Sequence, residues 1–224
     1  MAYHLSKFNK QKLKNMKTIN KLLTGLIPGV LLCVLLVACG NGNGNKDSID
    51  SAKNINDSTA KAMKDSSSSD SLAGKNVTST PIDKDATNFA ISAANGGMAE
   101  VAMGQVAITN GFSQRVKDFG SMMVKEHSEA GEKLKKLASS KNITLPATLS
   151  DKEQKHVADL QKKTGKDFDK LYMNMMLDDH KTDIKEFQKA STDCKDPDLK
   201  SFAMTILPTL QKHLDSARAI TGKR

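Results

Sequence analysis

Glu100, His127, His180 and His213 each fill a gap in a helical run of apolar residues. Around His127 the run is Phe112, Val116, Phe119, Met123, Ala130, Leu134 and Leu137; around His180 it is Phe168, Tyr172, Met176, Ile184 and Phe187. His213 falls among Leu199, Phe202, Ile206, Leu210, Ala217 and Ile220, and Glu100 among Phe89, Ala93, Gly96, Met103 and Ala107. Steps of three and four place these residues on the core-facing side of a helix, together with whatever interrupts them. A buried carboxylate needs a partner and a buried imidazole needs a hydrogen bond. Convergence on one centre satisfies all four at once. Imidazole and carboxylate donors suit Fe, Zn, Mn or Cu, and the thioethers of Met123 and Met176 tilt the set toward Cu(I). The same spacing also fits a hydrogen-bonded His/Glu network that only fixes helix register, or polar positions at unrelated heights. Eleven methionines equally serve as adaptable packing.

The elements that must carry these residues are helical from residue 81 onward, with no stretch of strict alternation. A first long helix is expected from Pro81, capped by Thr80, to Thr109, where Asn110-Gly111 breaks it. A second runs from Phe112 or Ser113 to Ser140. Ser150 and Glu153 form a capping box for a short helix that stops at Thr164-Gly165. A third long helix covers Asp167 to Thr192, and Asp196-Pro197 opens a fourth to Ile220. The expected fold is all-α: a ferritin-like four-helix bundle with an extra short helix between the second and third long helices. MMVKEHSEAGEKLKKLA at 122–138 recurs in weaker form as MMLDDHKTDIKEFQKAS at 175–191. The repeat pairs His127 with His180, as two hairpins descended from one would. Gly96-Gly97 inside the first helix points to a close helix approach or a local break, and Pro208 to a kink before His213. His156 lies outside the four long helices and is expected on the surface.

Residues 1–38 read as an export signal. Six lysines with no acid precede an apolar run from Leu22 to Ala38 that is interrupted by Pro28 and ends in Leu36-Val37-Ala38-Cys39. That ending resembles a bacterial lipobox, with Cys39 as the lipidated first residue of the mature chain. Residues 39–80, rich in Gly, Asn, Ser and Asp, are expected to be a disordered tether, and 81–224 the folded domain. The whole chain carries 34 basic and 25 acidic residues, a net charge of +9. Without the leader's six lysines the net falls to +3 and nucleic acid is not an expected partner. With Cys33 in the signal and Cys39 lipidated, Cys194 has no partner for a disulfide.

AANGGMAEVAMGQVA, VKDFGSMMVKEHSEAGEKL, FDKLYMNMMLDDH and DPDLKSFAMTILPTLQKHL resemble, in order, the motifs of the family called domain of unknown function 4142. The resemblance covers about residues 85–220. It implies an exported bacterial protein with a ferritin-like bundle, often described as an outer-membrane protein, and implies no mechanism. Di-iron carboxylate bundles carry Glu three residues before the histidine. Here those positions are Val124, Leu177 and Leu210, so a standard di-iron oxidase is not expected. No Ser/His/Asp set, phosphate loop or Cys-x-x-Cys pair is present either. The reading is a membrane-tethered envelope lipoprotein, not an enzyme, with a bundle that holds Fe, Cu or Zn through Glu100, His127, His180, His213, Met123 and Met176. The alternative is a structural or protein-interaction module for envelope stress.

Overall fold

A computed structural model describes residues 47–66 and 83–223. The signal, the Cys39 lipidation site and the Thr80-Pro81 cap lie outside the described residues. Six helices follow one another: α1 (Ser48–Ser66), α2 (Lys84–Asn110), α3 (Gln114–Ser140), α4 (Asp151–Gln161), α5 (Gly165–Asp193) and α6 (Pro197–Thr221). Among the described residues there is no strand, and the expected all-α bundle is present.

The four long helices pair as two hairpins, α2 with α3 and α5 with α6, which then pack on each other through α2–α5 and α3–α6. Local chemistry sets the turns. Ser113 Oγ accepts from Val116 N at the start of α3, and Ser150 Oγ accepts from Glu153 N at the start of α4. Asp196 accepts from Asp198 N and Leu199 N at the start of α6. The α2–α3 turn is also held from the other hairpin: Phe112 N and Ser113 N donate to the two Asp169 oxygens at 2.8 and 2.9 Å. Lys141, at the end of α3, bonds Asp196 at 2.7 Å and Asp198 at 2.8 Å and so ties α3 to the α6 cap. Phe112 itself leaves the expected apolar stripe. It precedes α3, is 61% exposed, and lies beneath the Lys166 ammonium.

The close approach of helices falls elsewhere than at Gly96-Gly97. A Cβ on Gly120 would sit 2.8 Å from both Gly104 O and Ala107 Cβ, and one on Gly104 2.8 Å from Gly120 O. Two backbones therefore touch where α2 crosses α3, and only glycine fits on both sides. Gly120→Ala is expected to lower stability by about 1–3 kcal/mol, as overpacking does, measured by denaturant unfolding. Through Gly96 and Gly97 α2 runs without a break, so neither explanation drawn from the sequence holds there. Pro208 sits inside α6, which continues on both sides of it.

The tether expectation does not hold for Ser48–Ser66. Those residues form α1, which docks on the segment between α3 and α4. Ser48 Oγ donates to Thr148 O, Asn56 Nδ2 donates to Thr144 O, and Thr144 N donates back to Asn56 Oδ1 at 2.8 Å. Ala52 is buried at 2% exposure. Composition underrated this segment because it counts large apolar side chains, whereas reciprocal amide bonds to backbone hold α1.

Candidate metal centre

Each long helix of the bundle contributes one buried polar side chain: Glu100 from α2, His127 from α3, His180 from α5 and His213 from α6. Their exposures are 2%, 7%, 0% and 0%. One ring nitrogen of each histidine lies within 4.8 Å of the others. The four residues named by the spacing of the sequence are thus brought to one level of the core.

The hydrogen bonds assign the tautomers. His127 Nδ1 lies 2.8 Å from Glu100 Oε2. Burial alone would raise the Glu100 carboxyl, but His127, His180 and His213 outweigh it and bring its pKa down to about 2. An ionised carboxylate only accepts, so His127 Nδ1 carries the hydrogen. His213 Nε2 lies 2.8 Å from Glu126 Oε2. Burial works against ionisation of Glu126 too, and the bonds from His213 and Lys212 reverse it. His213 therefore donates through Nε2. His180 Nδ1 is 2.8 Å from the Met176 carbonyl and donates to it, with Glu100 Oε1 at 3.2 Å.

Each ring thus spends one nitrogen on a partner behind it, and in the neutral ring the other nitrogen keeps a lone pair. His127 Nε2 and His213 Nδ1 face each other at 3.3 Å, two acceptors with nothing to share unless a proton or a cation lies between them. His180 Nε2 is buried without any hydrogen-bond partner. Two nitrogens bound to Zn at 2.0–2.1 Å in tetrahedral geometry stand about 3.3 Å apart, which is the spacing found here. Carboxylates or carbonyls behind ligating imidazoles are the usual outer partners of metal-bound histidine. The charge also fits. Burial lowers the His180 pKa, and burial with His127 lowers that of His213 to about 4, so both are neutral near pH 7. Glu100 and Glu126 together match one dication.

The sequence missed two partners. Glu126 precedes His127 in the chain yet serves His213 on another helix, and what Met176 supplies is its carbonyl. Both contacts cross or cap helices in ways that spacing does not record. Met123 and Met176 are fully buried one turn before His127 and His180. His156, expected on the surface, is half-buried with Nδ1 3.1 Å from Glu153 Oε2. A hollow of about 170 Å³ reaches the site from solvent and is lined by His127, His213, Glu126 and Glu129.

A row of acids lies beside Glu100 on α5. Burial raises the Asp179 pKa to about 7, with Glu100 adding to the shift, and burial with Glu100 and Asp179 raises Asp183 well above the carboxylate range. A raised acid stabilises the fold below its unfolded pKa, and that contribution is lost as pH rises through the folded value. Asp183→Asn is therefore expected to raise the melting temperature of metal-free protein near pH 8. The rise should be roughly 2–4 °C, the shift that about 1 kcal/mol makes in a chain of this size. The difference should vanish in acid, followed by calorimetry across pH.

Comparison with known proteins agrees with this architecture. A family model described as a domain of unknown function (DUF4142) matches residues 71–220. The fold is similar to the crystal structure of a DUF305 fragment from Deinococcus radiodurans. That match has 11% sequence identity and a TM-score of 0.56, and it covers 63% of this chain and 98% of that one. At such identity the likeness is one of fold alone. No curated protein matches the chain.

Proposed function

The chain belongs to the DUF4142 family, and from that premise we propose that it is a metal-binding lipoprotein of the bacterial cell envelope, in which His127, His180 and His213 ligate one dication. The observation that carries the reading is the gathering of three buried imidazoles with a ring nitrogen of each within 4.8 Å of the others, each ring also bonded to a fixed partner. Three imidazoles suit Zn, Cu, Fe or Ni more than Mg or Ca, and three protein ligands leave a further position open to water or an exogenous donor. Glu100 and Glu126 orient two of the rings and offset the ion's charge; Met176 O orients the third. The role is binding or buffering of the ion, without catalysis.

Exposure of the purified protein to Fe, Cu, Zn and Mn, followed by desalting and elemental analysis, tests the site. One equivalent of a single element per chain is expected; no stoichiometric metal after any loading would sink the reading. A proton in place of the ion is the second reading. Burial works against charge on His127, yet Glu100 outweighs it and raises the His127 pKa, so an imidazolium there would donate across the 3.3 Å gap to His213. In that case the network fixes helix register in a structural or protein-interaction module.

The envelope location rests on the leader and on Leu36-Val37-Ala38-Cys39. No described helix is long and apolar enough to cross a membrane, and lipid on Cys39 is the proposed anchor. Cys39→Ser is expected to move the protein from the membrane fraction to the soluble one and to abolish labelling by radioactive palmitate. Retention of label on the variant would refute the anchor.

A further inference from the structure

The bundle holds a larger space beside the three histidines, lined by His127 and by neither His180 nor His213. A cavity of about 760 Å³ lies among α2, α3, α5 and α6, a volume typical of small-molecule sites. Glu100 lines it and His213 does not, whereas the smaller hollow at the metal centre is lined by His213 and not by Glu100. His127 lines both, so the larger cavity borders the metal site at that ring but reaches neither His180 nor His213. One wall is hydrocarbon, made by Leu134, Ala138, Ile143, Phe202, Ile206 and Leu210.

Three of the glycines lining this cavity have no packing reason to be glycine. A Cβ on Gly97 or Gly131 would meet nothing within 4 Å, and one on Gly96 would meet only Asp183 Oδ1 at 3.7 Å. Glycine weakens a helix interior and is explained where backbones touch, as at Gly104 and Gly120. No such contact exists here. What the three missing side chains leave is volume, opened beside a carboxylate.

The charge at that end has one sign. The cavity is lined by Glu100, Glu132 and Asp183 against Lys135 as its one lysine. Asp179, Glu186, Glu153 and Glu100 all act on Asp183. Among the described residues no cation lies within 4.0 Å of it. Lys152, which feels Asp183, is 71% exposed and bonded to Glu153. Like charge repels an anionic ligand from such a site, and a desolvated carboxylate attracts a cation.

We propose that this cavity binds a small amphipathic amine, its ammonium paired with Asp183 and its hydrocarbon body laid along the Leu134–Phe202 wall. The site borders the metal centre through Glu100 and His127, but the groups that would take the amine, Asp183 and the hydrocarbon wall, are outside the three-histidine set.

Calorimetric titration of the metal-free full chain with n-decylamine, n-decanol and decanoate tests it. Decylamine should bind at one per chain, at least about tenfold more tightly than decanol, with decanoate weakest. Asp183→Asn should remove the preference for the amine over the alcohol. Gly97→Leu should abolish binding of both while the melting temperature holds or rises, because leucine favours the helix and its Cβ meets no neighbour. His213→Ala should leave amine binding unchanged, so failure of the metal site and failure of this one are told apart. Preference for decanoate, equal binding of all three probes, absence of decylamine binding, or binding that survives in Gly97→Leu would each overturn the proposal.

Discussion

Replacing His180 by alanine is expected to abolish stoichiometric metal binding while leaving the bundle folded. His180 is fully buried, and its Nε2 has no hydrogen-bond partner. A ligand lost from a three-histidine set removes both a coordinate bond and the preorganised geometry. Substituting a mere outer partner already costs about 10–100-fold in affinity, and loss of a ligand should exceed that. His213→Ala should behave alike, since it removes one side of the 3.3 Å pair. The readouts are metal content after loading and the rise in melting temperature on adding the ion. A ligand that binds only the folded state stabilises it by mass action, about 2.7 kcal/mol at a hundred times its dissociation constant. That rise should be present in the parent protein and absent in both variants. An equal rise in all three proteins would place the ion elsewhere.

Glu100→Ala should be the most destabilising single change at the centre. Glu100 bonds His127 directly, lies 3.2 Å from His180 Nδ1, and is 2% exposed. Its removal leaves buried imidazoles without their counter-charge, and breaking a buried pair by deleting one partner costs about 3–5 kcal/mol. Glu100→Gln keeps the shape and should cost less. The sign with pH follows from the lowered pKa. A carboxyl held below its unfolded value stabilises the fold above the unfolded pKa, and that contribution is lost as pH falls toward about 2. The gap in stability between parent and Glu100→Gln should therefore be full at neutral pH and shrink as pH drops below the usual carboxylate range. Urea unfolding of both proteins at several pH values measures it, and a constant gap across that range would refute the assigned charge on Glu100.

How much of this was legible beforehand differs by residue. The period of three and four that Phe168, Tyr172, Met176, Ile184 and Phe187 share depends only on 3.6 residues per turn, so a sequence displays it directly. The same period marked Glu100, His127, His180 and His213 as core-facing, because a polar residue in an apolar stripe is visible without coordinates. Caps at Ser150 and Asp196 were legible for a like reason: each bonds backbone two or three residues ahead.

What needed the fold is whatever depends on the relation between helices. The small residues of α2 were visible, but only the crossing shows that Gly104 and Gly120 are the contact and that Gly96 and Gly97 border space. Docking of α1 rests on Asn56 meeting Thr144, residues 88 apart in the chain. Glu126 reaches His213 across 87 residues. The sequence by itself determined which side chains enter the core, since helical periodicity is a local property. Only the tertiary structure decided their height, their tautomers and their partners, since those are set by distances between helices that no spacing along one helix contains.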